Sequence, residues 1–165
     1  MQRINKTKTI KIIFLIIAIL LFLLLYFQSL CKDRLFNAII DNNYESAEEV
    51  LRICPYIINH RNAFTIIEKI GLDGYPNCTP LIEACKQQNK DIVMLLLTNG
   101  ADVNKLSGGS YVESALIVSV KKNNYDIASY LIQHGADKTI EDSSGKTAYD
   151  YAVELGDEYL ISMLA

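Results

Sequence analysis

Histidine is scarce in this chain of 165 residues, and its scarcity removes most catalytic and metal-binding chemistry. His60 and His134 are the only two histidines. The sequence shows no Ser-His-Asp set, no paired-carboxylate site and no glycine loop of the phosphate-binding type. The four cysteines, which lack zinc-ligand spacing, are Cys31, Cys54, Cys78 and Cys85. The sequence therefore predicts a protein that is not an enzyme, binds no metal ion and needs no cofactor.

Basic charge is also in short supply over most of the chain. The part that follows residue 31 holds all 19 acidic residues but only 12 of the 16 basic ones, a net charge of −7. An acidic domain with scattered basic residues argues against nucleic acid as a ligand, and against a second, electrostatic hold on anionic lipid.

The first thirty residues hold a long apolar run. Residues 12–27 contain no charge and, apart from the Tyr26 hydroxyl, no hydrogen-bonding side chain. Extended to residues 10–30, the run would make about 31 Å of helix, which is enough to cross a bilayer. Four basic residues precede residues 12–27 without any acidic one: Arg3, Lys6, Lys8 and Lys11. This pattern predicts a transmembrane signal anchor.

Other interpretations of this segment fit less well. Residues 27–30 offer a poor site for signal peptidase, and the run is long for a cleaved signal. Leu30 does not suit the position before a lipoprotein cysteine at Cys31. An uncleaved anchor would keep the basic flank in the cytoplasm and place the rest of the chain across the membrane, although Lys32 and Arg34 on the far flank weaken that orientation. The alternative is a cleaved signal and a secreted or periplasmic domain.

A period of about 34 residues organises the rest of the chain. The segment TPLIEACKQQNKDIVMLLLTNGADVN opens at Thr79, a similar segment opens 35 residues later at Ser114, and a third opens 33 residues after that at Thr147. A more divergent unit opens at Asp33. The Gly-Ala-Asp of residues 100–102 recurs at 135–137. A fixed period of this length is typical of stacked repeats.

Equivalent positions in the four units share a physical role. Each opening residue can cap a helix, so Asp33, Thr79, Ser114 and Thr147 are predicted N-caps. Five residues further on stand small side chains that allow close helix packing: Ala38, Ala84, Ser119 and Ala152. Apolar residues at spacings of three and four predict a second helix in each unit. Gly100 and Gly135 are predicted to end such helices in a left-handed conformation.

These segments resemble the ankyrin-repeat family over about 130 residues. The resemblance implies an all-α ankyrin-repeat solenoid of about four helix-turn-helix units, preceded by one transmembrane helix. The expected divisions are a basic flank at 1–9, the anchor at 10–30, a degenerate repeat at 33–60, an insertion at 61–78, repeats at 79–113 and 114–146, and a capping repeat at 147–165.

The chain departs from the family at one marked position. Where the family has the His of Thr-Pro-Leu-His, the four units carry Phe36, Ile82, Ile117 and Asp150. We expect apolar contact to replace the family's polar network in the inner repeats, and the stability to be modest. The first linker is long, and its segment AFTIIEKIGLDG could form an extra helix.

The cysteines are expected to be structural. Cys85 follows the small Ala84 on the buried side of a helix, which predicts a core position. A disulfide between Cys54 and Cys78 stays open for an exported domain, since sequence alone does not determine the geometry.

In the ankyrin-repeat family, loop tips and the outer side of the first helices contact partners. The resemblance therefore implies a set of partner-binding residues. Those in loops are Tyr75, Lys105, Leu106, Tyr111, Glu141, Asp142 and Lys146. Those on first helices are Glu83, Lys86, Gln87, Lys121 and Lys122.

The function expected from these features is protein-protein interaction by a membrane-anchored ankyrin-repeat protein, without catalysis. The alternative is an envelope inhibitor or immunity-type protein that neutralises an exported toxin or enzyme by binding it. The expected partners are another protein and the lipid bilayer, with no nucleic acid, and the chain is expected to be monomeric.

Overall fold

The computed structural model describes residues 6–60, 77–109 and 111–165, and all regular elements there are helical. The first two helices are α1 (Lys6–Ile40) and α2 (Tyr44–Ile53), followed by a 3-10 turn at Pro55–Ile57. The next four are α3 (Pro80–Lys86), α4 (Lys90–Thr98), α5 (Ala115–Lys121) and α6 (Tyr125–Gln133). The last two are α7 (Ala148–Leu155) and α8 (Glu158–Leu164).

The helices form four stacked hairpins in two layers. In the inner layer, the end of α1 packs against α3, α3 against α5, and α5 against α7. In the outer layer, α2 packs against α4, and α4 against α6. One continuous core lies between the layers. This architecture is that of the expected solenoid. The segment predicted as an extra helix belongs to residues 61–76, which lie outside the described residues.

Three of the four predicted N-caps are confirmed. The hydroxyl oxygens of Thr79 and Ser114 accept a hydrogen bond from the backbone N–H three residues later, each at 3.2 Å. Thr147 does the same at 3.3 Å, and the Asp150 carboxylate accepts from the Thr147 backbone in return, which completes a capping box. The capping box explains why the fourth unit keeps a polar residue at the position of the family histidine.

The predicted cap at Asp33 is wrong, because α1 passes through this residue without a break. An N-cap needs an extended backbone, and residues 28–34 contain neither glycine nor proline to interrupt the helix that arrives from the apolar run. The side chains of Leu35 and Ile39, on the last turns of α1, are fully buried in the repeat core. The apolar segment and the first repeat therefore share one helix.

Each outer helix also begins with a side-chain cap. The side chains of Asn43, Asn89, Asn124 and Asp157 cap α2, α4, α6 and α8, each ten residues after the opening position of its unit. The residue before each cap has a left-handed backbone; these residues are Asn42, Gln88, Asn123 and Gly156. In three units, a residue that readily adopts the left-handed conformation is followed directly by the capping Asn or Asp. These pairs are Asn42 with Asn43, Asn123 with Asn124, and Gly156 with Asp157. That signal could have located the turns.

Gln88 is the least suitable of these left-handed residues. Its φ is 58°, and unlike Asn it lacks a short side chain that can hydrogen-bond locally in this conformation. We expect Gln88→Asn to raise the free energy of unfolding by about 0.5 to 1 kcal/mol. The reverse change at the equivalent position, Asn123→Gln, should lower it by a similar amount. Urea unfolding of the full chain in detergent micelles measures both, and changes of the same sign in the two variants would contradict this account.

Apolar side chains fill the core at equivalent positions of the units. Leu81 and Leu116 are buried two positions after their caps, and Phe36, Ile82 and Ile117 are buried at the position of the family histidine. Apolar contact thus replaces that polar network, as expected. Tyr149, the equivalent of Leu81 in the fourth unit, is 39% exposed.

Asparagine side chains supply polar links between the units. The Asn59 side chain donates to the Gly100 carbonyl at 3.3 Å and accepts from the Asp102 N–H at 2.8 Å. Asn104 makes the same two bonds, to Gly135 at 3.1 Å and from Asp137 at 2.8 Å. Both predicted left-handed glycines are confirmed, with φ of 88° at Gly100 and 84° at Gly135.

The cysteine pairing differs from the alternative left open by the sequence. Cys31 on α1 forms a disulfide with Cys54 at the end of α2, and Cys78 and Cys85 are free and buried. A Cys54–Cys78 disulfide is therefore wrong, because the helix that continues past residue 30 brings Cys31 to Cys54. Burial raises the pKa of the Cys78 thiol to about 12. The core position predicted for Cys85 is confirmed.

Candidate protein-binding face

Two loops next to the inner layer form what we call fingers; the described part of the first covers residues 103–109 and 111–113, and the second covers residues 138–146. The first closes on itself through a bond from the Ser107 N–H to the Glu113 carbonyl at 3.0 Å. It is joined to the preceding unit by a bond from the Gly108 N–H to the Asn77 carbonyl at 2.6 Å. A bond from the Ser143 N–H to the carbonyl of residue 112, at 3.1 Å, joins the second finger to the first. Backbone contacts thus hold the fingers side by side, and with the exposed residues of α3, α5 and α7 they form what we call the finger face.

A tyrosine on α7 is the centre of a charged cluster on this face. The ammonium groups of Lys121 and Lys146 lie 5.0 and 5.4 Å from the centroid of the Tyr151 ring. The Tyr151 hydroxyl donates a hydrogen bond to the Asp142 carboxylate at 2.5 Å. Two cations near one aromatic ring are each attracted by its negative face. Three of these four residues, all except Tyr151, belong to the predicted partner-binding set.

Two ion pairs hold the lysines in place. Lys121 pairs with Glu113, and Lys146 pairs with Glu154. In both pairs the partners are eight residues apart. One partner, Glu113 or Lys146, comes directly before the N-cap of α5 or α7, and the other partner comes seven residues after that cap. The order of charges is reversed between the two units. The arrangement ties the base of each finger to the end of the helix that follows.

The hydrogen bond between Tyr151 and Asp142 shifts both groups. The bond from Tyr151 holds that residue's own pKa at about 12, because losing the proton would break it. Burial favours a higher pKa for Asp142, but the bonds from the Tyr151 hydroxyl and from the backbone of Lys146 and Ser144 outweigh it, and the pKa of Asp142 is lowered.

These shifts predict how the contribution of Tyr151 to stability depends on pH. The lowered pKa of Asp142 adds stability above about pH 4 that is lost as the pH falls through the folded-state pKa. The raised pKa of Tyr151 adds stability below about pH 10 that is lost as the pH rises towards 12. The difference in unfolding free energy between the wild type and Tyr151→Phe should therefore be largest near neutrality and shrink on both sides.

Urea unfolding of the full chain in micelles over a pH series measures this difference. Tyr159→Phe is the control, because the Tyr159 hydroxyl donates to no residue that the structure describes. A Tyr151→Phe difference that stays constant across the pH range would show that the bond to Asp142 does not form.

The other predicted contact residues are placed as follows. Glu83 is half-buried, and its carboxylate accepts hydrogen bonds from the Cys78 thiol at 3.2 Å and the Gln87 amide at 2.9 Å. Tyr111, on the first finger, is 75% exposed. The remaining members are exposed or half-buried on the finger face: Lys86, Lys105, Leu106, Lys122 and Glu141. Tyr75 belongs to the insertion and lies outside the described residues.

Sequence reasoning missed Glu113, Tyr151 and Glu154. The recurring spacing of eight residues between opposite charges around a helix cap was available as a signal for the two ion pairs. No comparable signal marks Tyr151, whose neighbours come from another unit and from the finger. Within residues 10–60, 77–109 and 111–165, no three His, Cys, Asp or Glu side chains are grouped so that they could hold a metal ion.

Stacked helix hairpins with fingers along one edge define a helical-repeat binding protein as the class. A family profile described as "Ankyrin repeats (3 copies)" matches residues 35–142 and 106–165. The chain belongs to the ankyrin-repeat family. Ankyrin repeats generally bind other proteins, and they are typically interaction modules without enzymatic activity.

Three relatives show how far the similarity reaches. Ankyrin repeat and SAM domain-containing protein 6 of Rattus norvegicus is 29% identical over 126 residues, which cover 76% of this chain and 13% of that protein. An ankyrin repeat-containing protein of Treponema pallidum (strain Nichols) is 33% identical over 51% of this chain and 28% of its own length. Ankyrin repeat and SOCS box protein 11 of Mus musculus is 33% identical over 46% of this chain and 22% of its own length. The chain thus spans less than a third of each relative.

Proposed function

We propose that this chain is a membrane-anchored protein that binds another protein through its finger face and catalyses no reaction. The observation that carries the proposal is the pairing of a 75% exposed aromatic residue, Tyr111, with the ordered charges around Tyr151 on the same face. Exposed tyrosines are frequent anchors of protein interfaces. Charges that are already held in position lose little conformational entropy when a partner binds.

Crosslinking in cells tests the binding face. A photo-crosslinking amino acid at Tyr111 should yield a covalent adduct with one partner protein, and the same residue at Tyr159 serves as the control. Tyr159 is 61% exposed but lies on α8, in the outer layer. Adducts at Tyr159 and none at Tyr111 would move the binding surface to the other side of the array.

The proposed anchor is α1. Within the part of the chain that the structure describes, Ile10–Ile40 is the one helix long and apolar enough to cross a membrane, by length and composition, with a mean hydropathy of 3.0 in its most apolar window. None of that window is buried in the protein. An exposed helix of this composition is more stable in lipid than in water.

We place the array on the side of the membrane opposite to the basic flank. The basic residues before the anchor favour a cytoplasmic N-terminus, and the Cys31–Cys54 disulfide suits an oxidising compartment. Cys54 is disulfide-bonded and Cys78 is buried, so neither is a useful site for labelling. A cysteine introduced at the exposed Ser144 should react with a membrane-impermeant maleimide in intact cells, whereas Gln2→Cys should react only after permeabilisation. The reverse pattern would place the array in the cytoplasm.

The disulfide also favours the alternative function, that of an envelope inhibitor or immunity-type protein that neutralises an exported toxin or enzyme. Such a protein would work in an oxidising compartment. This alternative requires the partner crosslinked at Tyr111 to be an exported enzyme or toxin whose activity is lost when the array binds. A crosslinked partner that keeps its activity in the complex would leave the scaffold function alone.

A further inference from the structure

α1 carries the proposed membrane segment directly into the first repeat. Residues 10–30 and the buried Leu35 and Ile39 belong to the same unbroken helix. The direction of the membrane segment therefore determines the direction of the first inner helix. The inference that follows rests on the proposed anchoring by α1.

The inner helices all run in the same direction as the end of α1. At the turns that follow them, the Asn89 side chain donates to the Asn42 side chain at 3.0 Å, so these ends of the first two units meet. At the opposite ends, the backbone of Asn77 bonds to Gly108 in the next finger, and the two fingers are bonded to each other. The C-terminal ends of neighbouring inner helices are therefore adjacent, and so are their N-terminal ends, which means that these helices are parallel.

The finger end of the array is the end nearest the membrane segment. Cys31 stands two residues before the opening position of the first unit, as Asn77 does in the second unit and Val112 in the third. Cys31 also directly follows the apolar residues 10–30. Measured along the axis of α1, the fingers therefore leave the inner layer at the level of Cys31, where the proposed membrane segment ends. The turns between inner and outer helices lie farther away by the length of a seven-residue helix, about 10 Å.

Exposed apolar side chains are grouped at this same height. Ile53 is 50% exposed and Tyr56 is 44% exposed, with the exposed Pro55 between them. They flank Cys54, whose disulfide to Cys31 joins them to α1. Tyrosine is enriched where the hydrocarbon core of a bilayer meets water, because its ring is apolar and its hydroxyl is polar.

We propose that Ile53, Pro55 and Tyr56 rest in the lipid headgroup region of the bilayer that α1 crosses, and that the fingers point along this surface. The array then lies beside the membrane with its finger end towards the lipid. The finger face opens at the membrane surface, so its partner presents a segment close to the bilayer, such as the juxtamembrane part of another membrane protein.

The absence of tryptophan from the chain gives a direct test. Tyr56→Trp introduces a single emitter in the turn just after the end of α2, and Tyr44→Trp introduces one at the start of that helix. The ten-residue helix between them is about 15 Å long. The two tyrosines are equally exposed, at 44% and 41%. The full chain is reconstituted into phosphatidylcholine vesicles that contain a lipid with a nitroxide on its headgroup. Tyr56→Trp should lose most of its emission, and Tyr44→Trp should lose little.

A second matched pair tests the fingers. Tyr111→Trp lies on the first finger and Tyr159→Trp at the start of α8, where the two tyrosines are 75% and 61% exposed, and the first should be quenched more than the second. Equal quenching within either pair would overturn the proposed contact at that part of the array. If Tyr56→Trp fails to fold, nitroxide labels on Ile53→Cys and Tyr44→Cys report the same difference through their accessibility to oxygen.

The same vesicles separate this inference from the proposed anchoring. A chain that remains in the vesicles after extraction at alkaline pH, but shows equal quenching at Tyr56→Trp and Tyr44→Trp, is anchored with its array held away from the lipid. That result overturns the inference alone. A chain that is released by the extraction overturns the anchoring, and with it the basis of the inference.

Discussion

Replacing Leu116 with alanine is expected to lower the free energy of unfolding by about 3 kcal/mol. Leu116 is 1% exposed on α5, the inner helix that packs against both α3 and α7. The substitution removes buried apolar atoms and leaves a cavity that helices on both sides would have to close. In a solenoid each unit is stabilised only by its neighbours, so weakening α5 weakens the contact with the unit on either side. Urea unfolding of the full chain in detergent micelles, followed by far-ultraviolet circular dichroism, measures the loss.

Leu155→Ala is the matched control for this substitution. Leu155 lies on α7 and is 49% exposed, so the same chemical change should cost less than about 1 kcal/mol. Equal losses for the two variants would mean that the inner helices do not pack in the register described.

Replacing Cys54 with serine is expected to cost about 3 kcal/mol under oxidising conditions. The Cys31–Cys54 disulfide joins residues separated by 23 positions and restricts the unfolded chain over that loop. Both cysteines are buried, so the bond also links two packed helices. A reducing agent should lower the stability of the wild type by a similar amount and leave Cys54→Ser unchanged.

The second cysteine provides the internal check. Cys31→Ser, Cys54→Ser and the double variant should lose the same stability, because each removes the same bond. Additive losses would show that the two residues contribute separately. A thiol assay on the denatured wild type should find two free thiols, Cys78 and Cys85, and four free thiols would contradict the pairing.

Most of the repeat architecture could be predicted because its signals are local. Thr79, Ser114 and Thr147 cap the helices that they were predicted to cap, since a cap depends on a hydroxyl oxygen and the N–H groups of the following turn. Gly100 and Gly135 adopt the left-handed conformation that follows from the absence of a Cβ atom.

Asp33 shows where local reasoning failed. The residue has the chemistry of a cap, but a cap forms only where a helix begins, and the helix here begins far upstream. The composition of the sequence changes just before Asp33 and suggests two separate elements, but nothing there interrupts the hydrogen bonds of the helix backbone.

Members of the charged cluster around Tyr151 could be named in part from the sequence. The family resemblance points to Lys121, Asp142 and Lys146, because it implies contacts at loops and first helices. Tyr151, which connects all three, was not among them. Its contacts join different loops and helices, and sequence spacing records contacts only within one helix or one turn.

The sequence by itself determined the repeat period, the caps at Thr79, Ser114 and Thr147, and the apolar character of residues 10–30. Each of these depends on interactions within a few residues, or on composition alone. Only the tertiary structure decided which cysteine joins Cys54, that α1 enters the first repeat without a break, and that two lysines meet at Tyr151. These features depend on which helix ends are brought together when the units stack, and that outcome is a property of packing between distant parts of the chain.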